Sequence, residues 1–592
     1  MEIVVLNVEL RNKYCSKMNT NKHFYMINNK MTIQATVFVV TLLCMVIFLN
    51  NTTVSNCHFL PYCFFVIFSG IICILVCLKY QQRDWRITEL SIAILFSIII
   101  VAMRNIGNSI ETSLYYCSVV LVIITMCQLR IKVPAFALAV CVVCVIEAGI
   151  VWLQFMGALP AYTQYYRATG TFDNPNACGL FFSFSFPFIV EKYKTDKSLF
   201  VLLIGIVSIL TCIVLRCRMS IIVIVLLLVF HYRNHLLHLS IPSKLLAVSC
   251  CMTLILILLI FMKEGSTKGR MLICQVTYNL IKDIPITGYG TYGFTKHYMP
   301  HQAEYLSQQP IFAMFADTPM HPLNEYIALV VNIGIGALCI LIVLCITIKK
   351  QWNSTNASYQ GFLIAIAVSS LFTYSFRYAF TWVFLVVCAT QSGGCKIIVH
   401  RMAKLIILPV CISVFTLLYL LYWVINFELT WRFAYDKFNN NEQKEHVLQD
   451  YKCLSENKYV SPPFHFNHAA VLNDYGNYAD SNIALDKFDV FFCDYEAIML
   501  RANNYYALRE YDKAIFFYQK AHAMCPTRFL PLQGLMRTYK RKGNSLRERG
   551  CKSDNRHSCK NSFIHNNINK ERGSKYNRTY FKAKEIISLD EL

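Results

Sequence analysis

HPLNEYIALVVNIGIGALCILIVL, residues 321–344, decides the fold of this chain. From Tyr326 it is apolar for long enough to cross a bilayer, whose core of about 30 Å takes about 20 helical residues. Ahead of it stand His321, Asn324 and Glu325, polar groups that are costly beside lipid and so ask for a function. Comparable apolar runs recur along the chain. Hydrophobic residues make up 56% of its 592 residues and charged residues 15%, against roughly 45–50% and 25% in soluble domains. The pattern predicts an all-α protein, a polytopic bundle of transmembrane helices.

Spans are predicted over 33–50, 61–79, 87–103, 113–128, 134–156, 177–190, 199–215, 219–230, 244–262, 326–348, 360–375, 378–390 and 404–425. That makes about 12–13 crossings at the usual span length, since 360–375 and 378–390 also read as one broken or re-entrant pair. The first 30 residues are polar and precede a full-length span, which is not the pattern of a cleavable leader.

Short loops rich in Lys and Arg are cytoplasmic. Residues 79–86, 128–132, 191–197 and 231–235, the pair Lys349–Lys350, and Lys396, Arg401 and Lys404 alternate onto one side together with the N-terminal arm, 1–32. The opposite face then holds 157–176, the turn at Arg216–Arg218, a long loop over 263–325, and everything after 425. This bias and one basic tail account for the net charge of +22. No nucleic-acid motif accompanies the charge, so the expected partner is membrane lipid and not nucleic acid.

Of the 26 cysteines, many, such as Cys73, Cys77 and Cys251, lie within spans, where Cys is a small hydrophobe. Cys141 and Cys144 have CxxC spacing but sit inside a span with no second pair. His297 and His301 are separated by Pro300 and have no evident third ligand. No metal site is expected.

Three polar clusters share the outward face. RATGTFDNPNACG, 167–179, carries turn formers and capping residues; it reads either as a loop that caps the next helix or as the wall of a polar cavity. Arg216-Cys-Arg218 runs against the positive-inside bias; its guanidinium forks suit phosphate oxygens, or snorkel to headgroups. The loop 263–325 contains Arg270, the GxGxxG glycines Gly288, Gly290 and Gly293, and His321 at its end. Loops longer than about 15 residues between packed elements are often functional. The glycines lack the strand-to-helix setting of a dinucleotide site.

In order, spacing and shared face these pieces resemble the O-antigen ligase and polymerase family of bacterial membrane glycan transferases. The resemblance rests on RATGTFDNPNACG, LRCRMS (215–220), GRMLICQVTYNLIKDIPITGYGTYGF (269–294) and HPLNEYIALVVNIGIGA (321–337), and covers residues 30–425. Cys217 stands where a serine commonly precedes the family arginine, and Asn332 where a glutamate is frequent. The family implies transfer of a glycan from a polyprenyl diphosphate carrier to an acceptor hydroxyl on the periplasmic face of the inner membrane. The acceptor is lipid A-core in ligases, another carrier-linked glycan in polymerases, and a protein Ser or Thr in related transferases. No cofactor and no metal is implied. Arg218 and Arg270 are then the candidates for binding the diphosphate, whose developing charge they offset. His321 is the candidate general base, with Glu325 or Asn324 fixing its tautomer and Arg167 in a supporting position.

After 425 the composition turns polar and aromatic. Ala502, Tyr505, Tyr511, Ala514, Tyr518, Ala521 and Pro526 follow the tetratricopeptide spacing, with Tyr539 one period after Tyr505 and a more degenerate unit over 468–487. The predicted organisation is a membrane domain over 33–425, helical repeats over 426–545 that dock an acceptor or partner protein, and a basic tail over 546–592. A transporter is the competing class, but its polar groups belong at the bilayer midplane in repeated halves. A non-catalytic scaffold gives Arg218, Arg270 and His321 no reason to share a side.

Overall fold

The computed structural model describes residues 36–45, 47–48, 59–80, 85–105, 110–129, 131, 133–161, 166–233, 264–391, 395–399 and 404–543. The span expected at 244–262, the N-terminal arm and the basic tail lie outside them.

The membrane part begins with α1 (Thr36–Met45), α2 (Phe59–Tyr80), β1 (Trp85–Thr88), α3 (Glu89–Asn105), α4 (Ile110–Met126), α5 (Val133–Met156), α6 (Pro175–Asp196), α7 (Leu199–Val214) and α8 (Arg218–His231). The long loop carries α9 (Glu264–Lys282) and α10 (Gly293–Gln308). Then come α11 (Glu325–Ile333), α12 (Gly336–Gln351), α13 (Ala357–Ser369), α14 (Ala379–Gln391), β2 (Cys395–Val399) and α15 (Lys404–Asn439). The C-terminal region is α16 (Lys444–Ser455), α17 (Pro462–Asp474), α18 (Tyr478–Phe488), α19 (Tyr495–Ala507), α20 (Tyr511–Met524) and α21 (Leu530–Arg541). Among the described residues four helices are long and apolar enough to cross a membrane: Phe59–Lys79, Val133–Met156, Gly336–Ser354 and Ile407–Asn439.

The centre of the bundle is α6. Every residue from Ala177 to Val190 is buried, as expected of a helix wrapped on all sides. Phe181, Phe184 and Phe188 meet Phe384 edge-on or tilted at 5.6–6.4 Å. By contrast α7 leaves Leu199, Leu203, Ile206, Leu210 and Ile213 exposed, a stripe at helical spacing that suits lipid contact. The fold is not wholly α-helical: β1 and β2 pair antiparallel. Near this ladder the basic loops gather, with Lys350 on Glu89 and Gln128 on the Arg86 carbonyl.

The span expected over 326–348 is broken into α11 and α12. Gly334 turns the chain at φ 57. The freed backbone groups are met by the segment 286–290: Tyr289 N–H donates to the Val331 carbonyl, Gly290 N–H to that of Asn332, and Ile335 N–H to that of Ile286, each at 2.9 Å. Non-helical backbone within a bundle survives only when such partners exist. A Cβ on Gly288 would stand 2.3 Å from the Asn332 carbonyl oxygen, and one on Gly334 2.0 Å from that of Ile286. Arg104, at the end of α3, donates to the carbonyls of Thr287 and Gly288 at 3.0 and 2.8 Å. The glycine-spaced turn is therefore built for backbone approach to the broken helix.

The last membrane helix does not stop at 425. It runs to Asn439, 36 residues, roughly 54 Å at 1.5 Å per residue. Its buried stripe, Val414, Leu417, Leu421, Val424, Phe427, Trp431 and Ala434, crosses the expected boundary without a change of spacing. Beyond it α17–α18 and α19–α20 form helix hairpins, followed by α21. Ala502, Ala514, Tyr518, Ala521 and Tyr539 are buried between them. One core joins α19–α21 to the loop helices: Leu272, Val276, Leu280 and Tyr298 pack with Tyr495, Tyr518 and Leu532.

Candidate active site

A cavity of about 360 Å³ lies where the membrane bundle, the long loop and the C-terminal region meet. Glu111, Thr291, His321, Asn332, Arg377 and Phe492 are among the residues that line it. His321 Nε2 is 2.8 Å from Arg377 Nη1. A guanidinium only donates, so Nε2 accepts and the neutral ring carries its proton on Nδ1. Burial first, and then the Arg377 charge, push the imidazole down to about 3, although the half-buried ring keeps an edge on the cavity. The Tyr374 ring lies against it at 5.2 Å. The result is an uncharged imidazole whose basic lone pair is held by a guanidinium.

The residues that follow His321 position the chain. Asn324 caps α11, its Oδ1 accepting from Ile327 N–H at 3.0 Å and its Nδ2 donating to the Leu371 carbonyl at 3.1 Å. Glu325 accepts from Phe376 N–H at 2.8 Å, which draws the loop bearing Tyr374 and Arg377 towards α11. The partner that selects the His321 tautomer is thus Arg377, reached through Glu325 and not supplied by it. Leu323, between His321 and the cap, has φ 56, a left-handed conformation costly for a residue with a β-carbon.

The other clusters approach to different degrees. Asn174 caps α6 through Ala177 N–H at 3.1 Å, and its Nδ2 donates to Tyr374 Oη at 3.0 Å. That links the 167–179 turn to the ring against His321. The turn itself is held by α5: Glu147 accepts from Thr171 N–H at 2.8 Å, and Gln154 from Thr169 and Gly170 N–H at 2.9 and 2.8 Å. Arg167 donates to the Phe155 carbonyl at 2.8 Å and lies over the Phe155 ring at 4.3 Å, so it fastens the turn to α5. Cys217 Sγ contacts the Pro175 carbonyl at 2.8 Å, which sets the start of α8, and Arg218 with it, beside the same turn. Arg270 is half-buried on α9. Arg167, Arg218 and Arg270 do not line the cavity.

Tyr374, Arg377 and Glu111 were not singled out in the sequence. Arg377 carries the same signal as Arg218, an arginine between two apolar segments on the side that the loop charges predict to be outward. His301, whose Nε2 is 3.2 Å from Asp283 Oδ2, lies one turn after His297 on α10, which continues through Pro300.

Residues 199–342 match the family model for O-antigen ligase. The matched stretch runs from α7 into α12 and contains Arg218, Arg270, His321, Asn324 and Glu325. The match supports an O-antigen ligase/polymerase-type membrane glycan transferase, with a glycan or lipid-linked substrate. The apolar helices and the match together point to a multi-pass membrane protein. No curated protein matches the chain.

Proposed function

We propose that this protein moves a glycan from a polyprenyl diphosphate carrier to an acceptor hydroxyl, of lipid A-core or a similar acceptor, on the periplasmic face of the bacterial inner membrane. The observation that carries the reading is the neutral His321, bonded to Arg377 on a cavity, within the stretch that matches O-antigen ligase. The acceptor oxygen attacks the anomeric carbon, and the bond from that carbon to the phosphate oxygen breaks. The electron pair leaves on the carrier diphosphate, and the acceptor proton passes to His321 Nε2. Arg218 and Arg270 hold the diphosphate, where fixed positive charge favours the leaving group. For His321 to act as the base, the Arg377 guanidinium has to turn away from Nε2 when substrate binds and so release the lone pair. Glu325, through the Phe376 loop, and Asn324, through the α11 cap, keep this arrangement in place, and Arg167 braces the neighbouring turn. The C-terminal hairpins, read as tetratricopeptide-like repeats, stand on the periplasmic side.

The test uses purified full-length protein in detergent with a polyprenyl diphosphate-linked glycan and a panel of acceptors. His321→Ala is expected to lose roughly 10²–10⁴-fold in transfer rate and Arg270→Ala about 10²-fold, with no response to a chelator. Product on lipid A-core makes the enzyme a ligase. Product on a second carrier-linked glycan makes it a polymerase, and product on a protein Ser or Thr a protein O-oligosaccharyltransferase. Undiminished transfer by His321→Ala would remove the proposed base.

A further inference from the structure

The cavity beside His321 is closed on one side by the C-terminal region. Ser461, Pro462, Pro463 and Phe492 form that wall. Two ties hold it on the loop helix α10: Cys493 N–H donates to the Thr295 carbonyl at 3.0 Å, and Thr295 Oγ1 to the Phe491 carbonyl at 3.1 Å. A third reaches the membrane bundle itself, where Tyr459 Oη donates to the Glu111 carboxylate at the start of α4.

We propose that this cavity is a saccharide subsite, in which Glu111 and Thr291 hold the hydroxyls of a sugar residue beside His321; the assignment rests on glycan transfer as the activity. A carboxyl group keeps acceptor lone pairs in either protonation state; Tyr459 takes one of them in Glu111, and the rest suit sugar O–H donors. Thr291 lines the cavity, and its buried Oγ1 has no hydrogen-bond partner among the described residues. Its backbone is fixed, since Thr291 N–H donates to Asn105 Oδ1 at 2.8 Å, while Asn105 Nδ2 donates to Asn332 Oδ1 at 3.1 Å. A buried hydroxyl without a partner is costly unless a ligand supplies one. Tyr292 and Phe492, edge to face at 5.4 Å, give an aromatic corner for the apolar face of a sugar ring. At about 360 Å³ the space is at the lower end of small-molecule sites, about 300–1,000 Å³. It admits the end of a glycan. A peptide acceptor fits less well, because the Pro462–Pro463 wall has no backbone N–H to pair with a main chain.

Ligand-observed NMR on the full-length protein in lipid nanodiscs tests this without turnover. The probes are free glucose, galactose, N-acetylglucosamine and their disaccharides, with a serine-containing peptide alongside. At least one saccharide is expected to bind the wild type, roughly tenfold or more weaker in Glu111→Gln and roughly threefold weaker in Thr291→Val. Tyr459→Phe, which leaves the carboxylate in place without its donor, is expected to show a smaller loss. In the transfer assay a raised KM for the acceptor assigns the subsite to the acceptor sugar, and a raised KM for the carrier-linked glycan to the donor sugar. No saccharide bound by the wild type overturns the subsite, as does binding unchanged in correctly folded Glu111→Gln and Thr291→Val, or occupancy by the peptide instead. Since the NMR readout needs no reaction, loss of the transferase reading would leave the saccharide signal standing.

Discussion

The Arg377 guanidinium, 2.8 Å from His321 Nε2, fixes both the tautomer and the charge of the ring. An imidazole in an unfolded chain takes its proton near pH 6.5, whereas burial and this neighbour hold the folded one neutral until about 3. Between those values the unfolded state binds more protons. The stability contribution of the uncharged ring is thus complete above pH 6.5 and falls as the pH drops towards 3. Arg377→Gln removes the positive neighbour but leaves the burial, so the imidazole pKa rises. The acid limb of kcat/KM for transfer is expected at higher pH in Arg377→Gln than in wild type, read from parallel pH–rate profiles. An acid limb at the same pH in both proteins would show that the guanidinium does not set the charge of the proposed base. His321 was legible because it precedes an apolar run and ends a long loop. Arg377 was less so: its pairing depends on Glu325 capturing the Phe376 N–H, a contact across 51 residues with no spacing to reveal it.

Single elements show where hydropathy misleads. Residues 326–348 are apolar enough for one span, and glycine is common in membrane helices, so composition gives no reason to break at Gly334. The reason lies in 286–290, which supplies partners to the broken backbone. The glycine spacing of that segment is visible and does not read as a dinucleotide site, but nothing local to it points to a backbone partner some 45 residues away. The helix that runs on past 425 is a different case. Polar residues at Asn426, Glu428 and Arg432 marked a change of solvent, while the stripe through Phe427, Trp431 and Ala434 marked the continuing helix. Gly288→Ala tests the first point. It places a Cβ 2.3 Å from the Asn332 carbonyl oxygen at φ 75, so the segment or α11 has to shift. Gly157→Ala is the control: φ is 83, and no atom lies within 4 Å of the added Cβ. The φ strain alone costs about 1–2 kcal/mol. Thermal unfolding in detergent is expected to drop further for Gly288→Ala than for Gly157→Ala, with transfer reduced only in the former. Equal drops would mean that the backbone contact adds nothing to stability.

At the scale of the whole molecule, helix hairpins follow the membrane region, and what they rest on is not written in the spacing of their residues. Two contacts place them. Trp431, on the far half of α15, donates to Asn467 Oδ1 at 2.8 Å, as Tyr451 does at 2.7 Å, so the helix from the bundle is built into the first hairpin. On the other side, Arg528 pairs with Glu496 at 3.0 Å and approaches Asp317 of the long loop at 3.6 Å, with its guanidinium 4.2 Å over the Tyr495 ring. Tyr495 is fully buried in the core shared by α9, α10 and α19–α21. Replacing a large buried aromatic with alanine costs about 3–5 kcal/mol, and a shared core spreads that cost over every element it joins. In Tyr495→Ala, amide exchange is therefore expected to rise in α9 and α10 as well as in α19–α21, although the substitution lies some 190 residues beyond the loop helices. Exchange that rises only within 495–541 would make the hairpins an independent appendage. Their wall at the cavity would then be a contact between neighbours that fold separately, and His321 would be expected to keep its surroundings when the hairpins loosen.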